Sequence, residues 1–182
     1  MFAKDALALA KQQRDICTKL HFEALHPFDN EPGLSAGDTE KWMVVFQGNV
    51  QQLEASDVVI LDLNDFPLRG GGVDDGTAWE CGYAVARGKT VRAFRGDAAA
   101  FGPEMTTGLG CKQDADGHWL TPSGHIVPSD YGLPLNLMLA GALAGQDGKL
   151  SWLTTGSFED CVQALRNDID AGNVPHLTAI EI

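Results

Sequence analysis

Basic side chains are scarce in this sequence: 13 Lys and Arg stand against 25 Asp and Glu, a net charge of −12. A surface of that sign repels a polyphosphate backbone instead of releasing its counterions, which argues against DNA, RNA and anionic membranes as partners. The acidic residues are spread among apolar ones and form no block of the kind that reads as a disordered tail, so solubility is their simplest role. Paired cysteines are lacking too. Cys17, Cys81, Cys111 and Cys161 lie far apart, with no C-x-x-C pair and no His spacing suited to zinc. Reduced thiols in a cytoplasmic protein, with no metal site, are the expectation. No run approaches the ~18 apolar residues of a membrane span. The segment Met1-Phe2-Ala3-Lys4-Asp5 also lacks the basic region and apolar core of a signal peptide.

What is present is enough chain for one core: 182 residues, 44% of them hydrophobic, read as a single domain over 1–182. Residues 3–20 are good helix formers, with Ala6, Leu9, Ala10, Ile16 and Leu20 at roughly 3.6-residue spacing. His21 to His26 fits a brief strand ended by Pro27, and residues 37–55 a helix with Trp42, Val45, Phe46, Val50 and Leu53 on one face. Val58-Val59-Ile60-Leu61 is the continuous apolar run of a buried parallel strand. After a glycine-rich turn, Arg69-Gly70-Gly71-Gly72, a helix is expected over Thr77–Arg87, ended by Gly88, and then a strand over Val91–Phe94. Residues 111–130 break the alternation with Asp116-Gly117 and Ser123-Gly124 turns, and read as an inserted hairpin or ordered loop. Pro134–Leu143 reads as a helix, Ser151–Leu153 as a strand, and Ser157–Ala171 as a helix with a Ser cap and Asp160 three residues on. Such alternation predicts an α/β fold, a flavodoxin-like doubly wound parallel sheet with helices on both faces.

Ligands of such sheets bind beyond the carboxyl ends of the strands. Asp29 and Asn30 follow the first short strand; Asp62, Asn64, Asp65, Asp74, Asp75 and Glu80 follow the second. A carboxylate-rich pocket suits proton transfer and stabilisation of developing positive charge. Glu80 has two readings. Thr77-Ala78-Trp79-Glu80 fits a capping box, the commoner occurrence. Against it, Gly76 and Gly82 leave room for a ligand, Asp74 supplies a second carboxylate, and a place in the first helical turn would favour the ionised form that a nucleophile needs.

Three segments together resemble the nucleoside 2-deoxyribosyltransferases of protozoan and bacterial type. They are Asp74-Asp75-Gly76-Thr77-Ala78-Trp79-Glu80-Cys81-Gly82-Tyr83-Ala84 with Gly88-Lys89, Leu25-His26-Pro27-Phe28-Asp29-Asn30, and Tyr131-Gly132-Leu133-Pro134-Leu135-Asn136-Leu137-Met138-Leu139. The resemblance implies transfer of 2-deoxyribose between nucleobases. Glu80 would be the nucleophile that holds the sugar as a covalent ester, and Asp74 the carboxylate that exchanges a proton with the base. Asn136 would contact the sugar of a neighbouring subunit's site, so a homo-oligomer is implied, and Asn49 would line the base pocket. Asp29, Asn30 and Gly76 are expected at the substrate. The partners are small-molecule deoxynucleosides and free nucleobases, with no cofactor.

The chemistry is coherent by itself: breaking an N-glycosidic bond builds oxocarbenium character that a carboxylate stabilises, and two displacements retain configuration. Phe2, Trp42, Phe46 and Trp79 could flank a flat base, though each is individually more typical of a core. Two other functions fit the same fold. One is a deoxynucleoside 5′-monophosphate N-glycosidase, for which Gly70-Gly71-Gly72 is the one candidate phosphate cradle; the other is a non-catalytic nucleotide-sensing module. One departure stands out: members of the family open with a strand reading Tyr, Leu or Ile, Ala, Gly, Pro, and none precedes Phe2 here. The expectation is a sheet with its central strand missing, an open hydrogen-bonding gap in the core, and a natural protein that is longer.

Overall fold

The computed structural model describes residues 6–30, 41–64, 72–96, 110–126, 133, 135–174 and 179–182. Phe2, Asp65, Gly70, Gly71, Tyr131, Gly132 and Pro134, all singled out above, lie outside the described residues. Helix α1 spans Ala6–Lys19, strand β1 Glu23–Leu25, a 3-10 helix Pro27–Asn30, α2 Lys41–Ala55 and β2 Val58–Asp62. Then come α3 Asp75–Ala86, β3 Thr90–Arg95, β4 Lys112–Gln113, β5 Trp119–Leu120, α4 Leu137–Ala142, β6 Leu153–Thr155, α5 Phe158–Asp170 and β7 Ala179–Glu181.

Five strands form one parallel sheet in the order β1-β7-β2-β3-β6. The apolar run Val58–Leu61 is buried on both sides, as a central parallel strand requires. On one face Ile16 and Cys17 of α1 and Phe158, Cys161, Val162 and Leu165 of α5 pack on Val58, Ile60, Phe94 and Ile180. On the other, Leu53 of α2, Cys81 and Ala84 of α3, and Ala140 of α4 pack on Val59, Leu61, Val91 and Ala93. Alternate residues of β2 and β3 feed the two clusters, the period-2 signature of a sheet covered on both faces. Arg92 is a buried charge within β3. It is 3% exposed, stacks over Trp152 with its guanidinium 3.8 Å from the ring centroid, and pairs with Asp168 of α5 at 3.0 Å.

The most consequential difference from the sequence reading is the central strand. The slot between β1 and β2, expected to stand open, is filled by Ala179–Glu181, a segment for which no strand was anticipated. Helix α1 buries Ala10, Ile16 and Cys17, whereas Leu9, expected in the stripe, is 47% exposed. In α2 the expected apolar face is covered in part: Leu53 is buried and Val45 and Val50 are half-buried, but Trp42 is 66% and Phe46 44% exposed. β6 lies two residues later than expected, because Ser151 and Trp152 are held in a turn by the bond from the Ser151 amide to the Lys149 carbonyl. Gly88, with φ 69°, ends α3 as expected, and Ser157 with Asp160 forms the anticipated capping box of α5. The hairpin is present as antiparallel β4 and β5, with Gly117 (φ 86°) in its turn.

Candidate active site at the carboxyl end of the sheet

Helix α3 follows β2, so its amino end rises from the carboxyl edge of the sheet. Asp74 is its cap: Oδ2 accepts from the amides of Gly76 at 2.9 Å and Thr77 at 3.2 Å. A Cβ at position 76 would lie 2.9 Å from that oxygen, so any larger residue there would make the Asp74 carboxylate shift. The room left by Gly76 is thus taken by the Asp74 carboxylate and not held open for a ligand. Because capping falls to Asp74, the capping box of Thr77 and Glu80 does not form. Glu80 is the sixth residue of α3, beyond the first turn, where the helix dipole no longer favours its ionised form. Burial, and secondarily the charge of Asp74, push its carboxyl up to about 7.

Glu80 stands on the flank of α3 that also carries Gly76, Tyr83 and Arg87, at helical spacings of three to seven. That flank faces α2. Arg87 pairs with Glu54 at 2.8 Å, the Tyr83 hydroxyl donates to the same carboxylate, and Trp79 meets Phe46 edge-on at 5.4 Å. On α2, half-buried Asn49 lies three residues after Phe46 and four before the fully buried Leu53, on the side of the helix that these two residues share. Trp79 also stacks on Tyr83 at 5.1 Å and is 45% exposed. Trp42, Phe46 and Trp79 are therefore not core residues, and form a surface band beside the groove.

The other flank of α3 meets α4. Ala78, Gly82 and Val85 line a cavity of about 710 Å³ together with Asn136, Leu139 and Arg95. Gly82 opens toward this cavity, away from Glu80. Asn136 is exposed and caps α4, its Oδ1 accepting from the Met138 amide at 2.9 Å. Asn136 and Glu80 are thus on opposite flanks of one helix, and the fold does not bring them into one pocket. The lining of this cavity is mostly apolar. Arg95, 7% exposed at the carboxyl end of β3 and donating to the Leu63 carbonyl at 3.0 Å, was not anticipated; a charged residue closing an apolar strand was its only signal.

The remaining acidic candidates are engaged locally. Asp29 accepts from the His26 amide at 3.0 Å and pairs with Arg14. Asp62 accepts from the amide and side chain of Asn64, whose own Oδ1 accepts from Gly96, tying the ends of β2 and β3 together. Asn30 ends the 3-10 helix beside Asp29. His26, buried at the end of β1 and stacked on Phe28 at 4.9 Å, has its imidazole pushed down by burial, with the Arg14 charge acting the same way. Asp114, Asp116 and His118 gather within the hairpin turn, where Asp114 accepts from the amides of the other two.

A parallel sheet covered by helices on both faces defines the class as an α/β protein, a fold in which small-molecule sites lie at the carboxyl ends of the strands. Residues 1–138 match the family model described as nucleoside 2-deoxyribosyltransferase, and the chain belongs to that family. Among solved structures it is similar to a 2-deoxyribosyltransferase from Leishmania mexicana, with TM-score 0.58 and 28% identity over 91% of this chain and 88% of that one. A 2-deoxyribosyltransferase from Bacillus psychrosaccharolyticus is more distant, with TM-score 0.45 and 23% identity over 59% of this chain and 76% of that one. No curated protein sequence matches. Among the described residues, no helix is long and apolar enough to cross a membrane.

Proposed function

We propose that the chain transfers 2-deoxyribose between nucleobases by double displacement, with Glu80 as nucleophile and Asp74 as the proton-exchanging acid. The observation that carries this reading is the placement of Glu80: a partly buried carboxyl with no capping role, on the helix that Asp74 caps and close enough to Asp74 to feel its charge. In the first displacement the Glu80 carboxylate attacks C1′, the C1′–N bond breaks, and Asp74 passes a proton to the departing base. In the second, the incoming base attacks C1′, the glutamyl ester breaks, and Asp74 takes the proton back. Two inversions restore the starting configuration. Both Asp74 bonds to the helix end fall on Oδ2, which anchors the carboxylate while the proton is exchanged. The groove between α2 and α3, with Asn49 on its wall, would hold the base.

Asn136 would serve a neighbouring copy. It is exposed, lies on the far flank of α3 from Glu80, and is followed by Leu137 and Met138, 50% and 75% exposed, an apolar step suited to burial in a subunit contact. This placement supports the reading of the protein as a homo-oligomer.

The test is exchange. Protein incubated with deoxyinosine and free adenine should release deoxyadenosine with the β configuration kept, and quenching during turnover should leave a deoxyribosyl adduct on the peptide containing Glu80. Hydrolysis with no exchange would indicate an N-glycosidase; binding with neither would leave a nucleotide-sensing module. An active Glu80→Ala variant would end the nucleophile assignment.

A further inference from the structure

The last described strand in sequence lies second in the sheet, between β1 and β2. β7 pairs in parallel with β1 through Glu23 with Ala179, Ala24 with Ile180 and Leu25 with Glu181, and the Ile182 amide donates to the Leu25 carbonyl at 3.0 Å. On its other side Val58 lies opposite Ile180 and Val59 opposite Glu181. Ile180 is fully buried with Ile16, Val58 and Phe158. Helix α1 ends at Lys19 and β1 begins at Glu23, so α1 runs antiparallel to the strands and starts at their carboxyl edge, the edge where β7 ends. β7 therefore stands to α1 as β1 stands to α2. Strand, helix and neighbouring parallel strand make one βαβ unit drawn from the first described helix and the last described strand.

This slot has a consequence for the groove. Helix α2 leaves β1 and packs over β7 on its way to β2, while α3 packs on β2 and β3. The groove between α2 and α3 thus lies over the carboxyl ends of β7 and β2. One strand spacing, about 4.8 Å, separates neighbours in a sheet, so β7 holds β1 and β2 about two spacings apart and supplies the strand on which α2 rests beside α3. An empty slot would leave two facing rows of unpaired amides and carbonyls in the core, which a sheet cannot sustain without closing or slipping.

We propose that β7 is a positioning element of the active site: its seating between β1 and β2 sets the separation of Asn49 on α2 from Glu80 on α3, and the site is competent only with β7 in place. This rests on the reading that Asn49 and Glu80 serve one site. Ile180 carries the seating through the core, and Ile182 supports it through its backbone bond to Leu25.

Amide hydrogen exchange on the full chain separates the two claims. The Ile180 and Ile182 amides should exchange as slowly as those of Ile60 and Ala93; fast exchange at 179–182 in a protein that still transfers deoxyribose would overturn the proposal. In Ile180→Asp, protection at 179–182 and transfer should be lost together, and transfer persisting without protection would sink the idea. Should that variant fail to fold, a rearranged chain answers. With residues 173–182 placed before Met1 through a short Gly/Ser linker and the chain ending at Gly172, the same strand–helix order is made continuous. It should melt cooperatively, protect the same amides and keep transfer; a rearranged chain that leaves those amides unprotected counts against the proposal. A protected β7 in a natural chain that transfers nothing would overturn the functional reading while leaving the seating intact.

Discussion

Asp74 and Glu80 share the amino-terminal half of α3, and only one of them caps it. Asp74 accepts the Gly76 and Thr77 amides, whereas Glu80, in the second turn, gains no such bond and is pushed up to about 7 by burial and by the charge of Asp74. The two carboxylates differ in environment: Asp74 is tied to backbone donors, whereas burial and the Asp74 charge oppose ionisation of Glu80, so attack by Glu80 requires that opposition to be lifted when substrate binds.

Glu80→Gln is expected to abolish transfer and to stabilise the fold at alkaline pH. An acid whose carboxyl is raised on folding contributes no penalty below its unfolded range. Stability then declines as pH climbs toward about 7 and levels off above it. Melting curves should therefore show the variant gaining on the natural protein at about pH 8 and matching it at about pH 4. A gain of equal size at both would mean that titration of Glu80 is not the cause.

Replacing Asp74 by Asn keeps a good cap, since Asn accepts amide bonds as well as Asp does. Thermal stability should hardly change. Transfer should fall by roughly 10²-fold or more with the loss of the acid. The residual activity should also persist to lower pH than in the natural protein, because removing the neighbouring charge makes Glu80 easier to ionise. A pH–rate profile of kcat/KM checks this, and an unmoved acidic limb would separate the two carboxylates functionally.

Two glycines of α3 should respond oppositely to alanine. At Gly76 the added methyl meets Asp74 Oδ2 at 2.9 Å, displacing the cap, with an expected cost of about 1 kcal/mol and impaired transfer. At Gly82 nothing lies within 4 Å of the added Cβ, so better helix propensity should raise stability by about 0.5–1 kcal/mol. Denaturant titrations of both variants decide it.

If Asn136 completes a neighbour's site, two inactive proteins should rescue one another. Asn136→Ser retains a capping side chain for α4, so its loss of activity would not come from unfolding. Mixed with Glu80→Gln under conditions that allow subunit exchange, it should form sites with both residues native, and the mixture should exceed either component alone. No recovery in a demonstrated mixed oligomer would place Asn136 outside the shared site.

Much of the architecture was legible in local pattern. Val58–Leu61 had to be a doubly covered strand because it is apolar without alternation, and Ser157 with Asp160 had to start a helix because each satisfies the other's backbone donor. The same locality misled at Thr77. A capping box there is chemically sound, but Asp74, one turn earlier, reached the free amides first and moved Glu80 into the second turn. Trp42 and Phe46 misled for another reason: helical spacing shows which residues share a face, and only the packing of α2 on α3 decides which part of that face is covered.

The sequence by itself determined the alternation of helices and strands, the ends of α3 and α5 marked by Gly88 and Ser157, and the carriage of Asp74 and Glu80 on one helix, all matters of neighbours within a few turns. Tertiary structure alone decided that Ala179–Glu181 fills the slot between β1 and β2, that Asn136 and Glu80 part to opposite flanks of α3, and that the Glu80 carboxyl is pushed up. A three-residue strand carries too little local signal to name its partners, which lie more than a hundred residues away at Ala24 and Val58, and a carboxyl's burial is set by what the rest of the chain brings against it.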